Sequence, residues 1–377
     1  MACLRIALVT ETYPPEVNGV AMTISRLVSG LRARGHQVDI WRPRQIHEQP
    51  GQVDTLLPSV ALPGYADLRL GLPARSRLIK HWRAQRPDVV HCVTEGPLGW
   101  SAVSAARHLN LPVTSGFHTN FDRYSSHYGV GWLRPLLAAY LRSFHRRTHA
   151  TLVPTAALAA ELAGHDIPGI EVVSRGVDTL LFNPERRSIA LRSQWHRDDP
   201  EALICLYVGR IAEEKNLDQV LSSFAAIQSQ FPSARMVWVG DGPARTRLVS
   251  AHPEHLFVGM RHGEDLAVHY ASADLFLFPS LTETYGNVVA EAMASGVAVV
   301  AYKSAAAAEL IQDGHNGRTA PPGDGAHFTR AAGELAAHPA LRQQIGLRAH
   351  ADLKQNGWTA VLDSFETALA GVVAREK

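Results

Sequence analysis

Leu275-Phe276-Leu277-Phe278-Pro279, Ser280-Leu281-Thr282 and Glu283-Thr284-Tyr285-Gly286-Asn287-Val288-Val289-Ala290-Glu291 follow one another without a break. The first piece, an apolar run closed by a proline, reads as a strand. Val288 to Ala294 reads as a helix, and polar residues with a glycine separate the two. A strand feeding a helix through a short loop is the repeating half of a parallel sheet. Two carboxylates lie at this junction, Glu283 in the loop and Glu291 a turn into the helix.

The same alternation fills the rest of the chain. Strands are expected at Arg5–Val9, Gln37–Trp41, Val89–Val93, Pro112–Phe117, Ala150–Pro154 and Ile170–Val173, then at Leu203–Val208, Met236–Val239, Leu256–Val258 and Ala298–Tyr302. Helices are expected between most of them, among them Gly19–Arg34, Leu217–Phe231, Gly263–Ser272 and Asn287–Ser295. A chain of 377 residues has room for two cores. The pattern predicts an α/β fold of two doubly wound parallel-sheet domains facing each other across a cleft. The boundary falls near Arg175-Gly176-Val177-Asp178, giving domains of residues 1–175 and 176–358. A long polar helical segment, Asp324 to Asn356, precedes a last helix from Thr359 to Ala374.

Apolar residues make up 46% and charged residues 19%, as in a soluble globular chain. The net charge of +2 conceals 19 Lys and Arg against 12 Asp and Glu in residues 1–175, with 18 against 23 in the remainder. A basic first half and an acidic second half suggest different partners. No zinc-finger spacing, RNA-binding signature or basic-region heptad occurs in the sequence, so nucleic acid is not an expected partner. Cys3, Cys92 and Cys205 lie far apart in or beside apolar runs, as buried free thiols of a reducing cytosol do. The apolar N-terminal run is too short and too soon interrupted for a signal peptide. No uninterrupted apolar run of about 18 residues occurs, so no membrane span is expected and the expected location is cytoplasmic.

In open parallel sheets, ligands bind beyond the carboxyl ends of the strands, where the polar motifs of this chain cluster. Thr10 to Val20 is a Pro-rich loop ending at Asn18-Gly19, where a long helix starts. A glycine allows close approach of backbone to ligand, and a helix start attracts an anion. An ordinary loop with a glycine turn explains the same residues equally well. Val208-Gly209-Arg210-Ile211-Ala212-Glu213-Glu214-Lys215-Asn216 brings two cations to a strand end, suited to a diphosphate. Solvated surface cations beside Glu213 and Glu214 are the alternative. In the opening stretch, Glu283 can accept from sugar hydroxyls, and the amides of Tyr285, Gly286, Asn287 and Val288 can hold a diphosphate. Glu291 can accept from both hydroxyls of a ribose. As a helix-surface carboxylate Glu291 is poorly explained, because apolar residues flank it on both sides. His118, in Ser115-Gly116-Phe117-His118-Thr119-Asn120-Phe121-Asp122, stands at another strand end as a donor or shuttle. Gly240-Asp241-Gly242 lacks the third glycine of a dinucleotide fingerprint, and no Walker loop exists. His145 and His149 are spaced as zinc ligands on a helix but sit among arginines, favouring a basic helix face. Asp-x-Asp never occurs, which argues against a metal-bridged diphosphate.

On these residues the chain resembles the retaining glycosyltransferases of family 4, which have the GT-B fold of two Rossmann-like domains. The resemblance spans nearly the whole length. Its marks are the Glu283/Glu291 pair, Arg210 with Lys215, Gly19 and His118. It implies that Gly19 offers its amide to the donor diphosphate and that Arg210 and Lys215 bind it. It implies further that Glu283 orients the donor sugar, Glu291 holds the ribose and His118 lies beside the transferred sugar. Relatives often have Gly-Gly where this chain has Asn18-Gly19, which leaves the role of Asn18 open. Residues 359–377 are expected to pack back on the first domain. Several stretches look most like bacterial GDP-mannose-dependent α-mannosyltransferases: Glu11 to Val20, Phe117 to Phe121, Arg175 to Asp178 and Glu283 to Asn287. Sulfoquinovosyl and glucosyl transferases acting on lipids share much of this pattern. The resemblance implies transfer with retention, no cofactor and no metal. The nucleotide base is expected near Gly240–Pro243 and Val258–Gly263.

Between Gly64 and Pro87 lie Arg69, Arg75, Arg77, Lys80, Arg83 and Arg86, interleaved with leucines and Trp82. Trp132 to His149 mixes Leu136, Leu137, Tyr140, Leu141 and Phe144 with four arginines. Read as basic amphipathic helices, such stretches suit either an anionic membrane surface or ordinary core packing with a solvated basic face. They make Arg69, Arg75, Arg77, Lys80 and Arg83 candidates for contact with a lipid or glycan acceptor, peripherally on the inner leaflet. Transfer from a UDP-sugar to a lipid, a two-domain epimerase, and a sugar-nucleotide sensor or scaffold are the competing readings. The full set of site residues disfavours the last.

Overall fold

A computed structural model describes the chain apart from residues 1–2, 17, 46–47, 49–53, 63–64, 119–133, 197–198, 200, 356 and 377. Thr119 to Asp122, Val17, Trp132 and Asn356, named above, therefore lie outside the described residues. The chain divides into two compact units, Met1–Arg175 with Thr359–Lys377, and Gly176–Trp358.

The first unit holds β1 (Arg5–Val9), β2 (Gln37–Pro43), β3 (Thr55–Leu57), β4 (Ser59–Leu62), β5 (Tyr65–Gly71), β6 (Val89–Cys92), β7 (Val113–Gly116), β8 (Ala150–Val153) and β9 (Ile170–Val172). Seven of these form a sheet in the order β3-β2-β1-β6-β7-β8-β9, parallel throughout. Strand order reverses between β1 and β6, so the loops after them splay apart and leave a crevice. The last helix, Trp358–Arg375, buries Val361, Phe365, Leu369 and Val372. Its Glu366 carboxylate accepts from Arg34 at 2.8 Å and sits 3.0 Å from the His36 ring. Gly30 lets it approach, since a Cβ there would come within 2.4 Å of Leu362.

The second unit holds β10 (Ile204–Val208), β11 (Arg235–Val239), β12 (Leu256–Gly259), β13 (Leu275–Phe278), β14 (Ala298–Tyr302) and β15 (Arg318–Ala320). Their order is β12-β11-β10-β13-β14-β15, again parallel. The reversal here lies between β10 and β13. Central strands covered on both faces need side chains apolar throughout. The opening stretch obeys this: Leu275, Phe276, Leu277 and Phe278 are all buried, with the two phenylalanine rings stacked at 5.7 Å.

Several expectations need correction. Residues 65–71 form a strand, antiparallel to β4, and only Arg75–Ala84 is helical. Alternation of Leu68 and Leu70 with Asp67 and Arg69 is a period-two signal, which the basic composition masked. The helix beginning at Arg134 ends at His145, so His145 and His149 do not share a helix face. The segment from Asp324 is two helices, Gly325–Ala337 and Pro339–Gln355. Pro339 lacks the amide that continuation needs and disfavours a helical residue before it. Cys92 and Cys205 are buried, but Cys3 is exposed.

Candidate functional site

The β10/β13 reversal explains why two distant segments meet. Behind β10 the chain turns through Gly209 and a short helical turn, Glu213–Lys215. Behind β13 it runs through Ser280 and Thr282 to Glu283. Lys215 Nζ lies 2.5 Å from Glu283 Oε1, and Ser280 Oγ donates to the same oxygen at 2.8 Å. The pair is mostly buried, with side-chain exposures of 10% and 17%. Both contacts fall on Oε1, which leaves Oε2 for a hydroxyl donor. Thr282 Oγ1 donates to the Glu214 carbonyl at 3.2 Å and ties the two loops together. Arg210 Nη1 lies 3.3 Å from the buried Glu214 carboxylate, and its own side chain is 40% exposed. An exposed guanidinium and a sheltered ammonium thus emerge from one loop. The β10 and β11 ends press together: a Cβ on Gly240 would come within 2.0 Å of the Gly209 carbonyl.

Gly286 adopts a left-handed conformation (φ 87°) and precedes the helix Asn287–Ala294. No side chain caps this helix start. The first amides of a helix have no carbonyl a full turn back to bond, and the helix dipole adds to their pull on an anion. A Cβ on Gly286 would crowd Glu283 Cγ at 3.3 Å, in a conformation that L side chains resist. Tyr285 is buried, and its carbonyl accepts from Ala306 N at 2.7 Å. Glu291 lies one turn into the helix and accepts from Tyr270 Oη at 3.0 Å. It is partly accessible, yet the surrounding protein pushes its carboxyl up to about 7 by burial, against the pull of the Tyr270 hydrogen bond. A carboxylate so enclosed gains from further hydroxyl donors.

In the first unit Asn18 caps the helix Gly19–Ala33, its Oδ1 accepting from Val20 and Ala21 amides at 3.1 and 2.9 Å. That role accounts for Asn18 structurally and leaves exposed Gly19 as the first helical residue. His118 stands beyond β7, packed over Gly116, where a Cβ would meet its Nε2 at 2.4 Å. Arg175 Nη2 donates to His118 Nδ1 at 3.5 Å. Burial, then the Arg175 charge, hold the imidazole well below its ordinary value. The ring is therefore neutral, with its hydrogen on Nε2, which has no partner among the described residues. It offers an N–H rather than a lone pair.

Comparison with known proteins decides the family. Residues 17–180 match the model of Glycosyltransferase Family 4, and residues 202–338 match that of Glycosyl transferases group 1. A GDP-mannose-dependent alpha-mannosyltransferase of Mycobacterium tuberculosis is 33% identical over 96% of this chain and 95% of its own. The chain belongs to glycosyltransferase family 4. The sulfoquinovosyl transferase SQD2 of Arabidopsis thaliana is 30% identical over 94% of this chain and 71% of its own. The solved structure of sucrose-phosphate synthase from Thermosynechococcus elongatus superposes with a TM-score of 0.77, covering 99% of this chain and 100% of that one. At 19% identity, that likeness carries the GT-B fold alone.

The basic residues of this family 4 glycosyltransferase do not line one helix. Arg75 and Arg83 lean on the helix Pro97–His108, through Ser104 Oγ at 2.9 Å and His108 Nε2 at 3.3 Å. Arg86 donates to the carbonyls of Leu109 and Asn110. Lys80 is exposed. Arg69 is held by Ser59, and Arg77 stands apart from Arg75 and Arg83 with Arg44.

Sequence reading missed Glu11. Its carboxylate accepts from the amides of Gly71 at 2.6 Å and Leu98 at 2.9 Å, filling the start of the helix Pro97–His108. Burial pushes it up to about 7 against those amides. Gly96 makes room for it, since a Cβ there would fall 2.3 Å from the Glu11 carboxylate. Among the described residues, His252, Glu254 and His255 form a group spaced for a metal. Trp238 Nε1 donates to His255 Nδ1 at 3.2 Å, which leaves the hydrogen on Nε2, facing Glu254. A protonated nitrogen does not ligate, so these residues fit an internal hydrogen-bond cluster rather than an ion.

Proposed function

We propose that this glycosyltransferase moves mannose from GDP-mannose, with retention and without a metal, to a lipid, lipid-linked or glycan acceptor. The observation that carries the reading is the Lys215–Glu283 pair at the β10/β13 reversal, beside the uncapped helix start at Gly286 and a turn before Glu291. A sugar on Glu283 Oε2, a diphosphate on the amides of Gly286 to Val288 and a ribose on Glu291 follow one direction along the chain. Arg210 and Lys215 neutralise the charge that develops on the departing diphosphate. The acceptor hydroxyl attacks the anomeric carbon as the bond to the diphosphate oxygen breaks, and the acceptor proton passes to that diphosphate. In the first unit, the Gly19 amide and the His118 Nε2–H are the hydrogen-bond donors offered to a nucleotide sugar. Mannose and GDP are favoured by the mycobacterial relative and by the stretches quoted above. A UDP-sugar is the second reading, favoured by the 30% identical sulfoquinovosyl transferase. The test offers GDP-mannose and UDP-glucose separately with a lipid extract, followed by product mass and anomeric configuration. Hexose transfer from GDP-mannose alone, in α linkage, is expected. Transfer from UDP-glucose alone overturns the choice of donor, and an inverted product overturns retention.

No described helix is long and apolar enough to cross a membrane. We propose peripheral contact with anionic lipid instead, through Leu136, 65% exposed, and Tyr140 on the helix that leads to Arg142, Arg146 and Arg147. Co-sedimentation with liposomes should favour anionic lipid at low salt, and equal recovery with neutral lipid contradicts it.

A further inference from the structure

We infer that Arg44, Arg69 and Arg77 form a pocket for a carboxylate or phosphate carried by the acceptor, so that the acceptor class is anionic. The inference rests on the glycosyltransferase reading. The three arginines come from separate places along the chain: just past the end of β2, β5 and the first turn of the helix Arg75–Ala84. With Gln45 and Ser59 they line one concavity of the first unit. Three solvated surface arginines have no reason to converge, because like charges repel.

The frame around them is built. Arg69 donates from Nε to Ser59 Oγ at 2.8 Å and from Nη2 to the Ser59 carbonyl at 3.0 Å, which fixes its guanidinium. Ser59 Oγ in turn donates to the Arg44 carbonyl at 2.6 Å. The carboxylates nearby are engaged. Glu48 accepts from Arg42 at 2.6 and 2.7 Å and from the Gln45 amide at 2.9 Å, although it also lies in the field of Arg44. Asp54 accepts from Arg42 at 2.9 Å. Arg77 is exposed, with no ion pair or hydrogen bond from its side chain among the described residues. A planar guanidinium binds oxyanions in pairs of hydrogen bonds, so two exposed arginines beside one fixed arginine suit a two- or three-oxygen anion.

Position ties the pocket to the reaction. Gln45 Nε2 donates to Glu16 Oε1 at 2.7 Å, Thr12 Oγ1 to Glu16 Oε2 at 2.5 Å, and Asn18 Nδ2 to Thr12 Oγ1 at 2.6 Å. This chain of contacts runs from the pocket wall to the cap of the helix that starts at Gly19. The anion site therefore lies beside the loop proposed to meet the donor diphosphate, where an acceptor must present its hydroxyl.

The test uses the full chain with hexyl glucoside, hexyl glucuronide and hexyl glucose 6-phosphate, which differ in carrying no charge, a carboxylate or a phosphate. Binding of each is measured by calorimetry at low salt, and GDP affinity is measured separately. At least one charged probe should bind about tenfold tighter than the neutral one. Whichever charged probe leads identifies the anion. The double variant Arg44→Met, Arg77→Met should lose that preference and keep its GDP affinity and melting temperature. Equal binding of all three probes, binding of none, or an unchanged preference in the double variant overturns the proposal. A failure to bind GDP overturns the donor reading instead and leaves the comparison of probes intact.

Discussion

Glu291→Gln should stabilise the protein above neutral pH while it weakens nucleotide binding. The folded carboxyl sits at about 7, raised from 4.5, chiefly by burial. Between these values the folded state holds a proton that the unfolded state has lost. Stability from this group is therefore present below 4.5 and declines as pH rises, until the loss is complete above 7. A rise from 4.5 to about 7 corresponds to about 3 kcal/mol. Glutamine keeps an oxygen for the Tyr270 hydroxyl and removes the charge that burial penalises. The gain should be about 2–3 kcal/mol at pH 8 and under about 1 kcal/mol at pH 5. For a unit the size of residues 176–358, 1 kcal/mol shifts the melting point by roughly 2–4 °C. The transition in which that unit unfolds should thus rise by at least about 4 °C at pH 8 and little at pH 5. Glu11 also sits at about 7, but it is unchanged in the variant and cancels in the difference. Calorimetric scans of both proteins at the two pH values make the comparison. A gain that is absent at pH 8, or equal at both pH values, refutes the reasoning. The cost in function is a charged acceptor lost from the ribose, about tenfold in GDP affinity.

Three further outcomes are expected. Lys215→Met and Arg210→Met should each lower turnover by about 100-fold, with Lys215→Met also melting earlier because Glu283 is left buried without its cation; near-normal turnover in both removes the diphosphate assignment. GDP affinity in the wild type should fall as pH drops below about 7, where Glu291 gains a proton, and should fall less steeply in Glu291→Gln, where the titration of GDP's own phosphate remains; parallel profiles exclude Glu291 as the ribose acceptor. His118 should titrate well below an ordinary histidine, with its hydrogen on Nε2, visible in its nitrogen shifts by NMR; a midpoint near 6.5 contradicts the burial and Arg175 arguments.

The strand–helix alternation was legible because central strands such as Leu275–Phe278 are uniformly apolar and end at a proline or glycine. The positions of Arg210, Lys215 and Glu283 at strand ends were equally open to sequence reading. Their pairing was not, since it depends on β10 and β13 being neighbours, and neighbourhood in a sheet is set by topology rather than by local pattern. The β4–β5 hairpin escaped notice because arginines and leucines alternating at two residues look, in composition, like a basic helix. Glu11 was hidden for a related reason: its partners, Gly71 and Leu98, are backbone amides far along the chain, and amides leave no mark in a sequence.

The claim that Lys215, the Gly286 helix start and Glu291 bind the diphosphate and ribose of a nucleotide sugar is tested most directly by calorimetric titration. GDP, UDP and ADP are each titrated into the wild type, Lys215→Met and Glu291→Gln at pH 7.5. The account predicts saturable binding tightest for GDP, and about tenfold weaker in each variant. Tighter binding of UDP or ADP would shift the base alone. Absence of binding by all three, or variants that bind as the wild type does, would contradict the site itself.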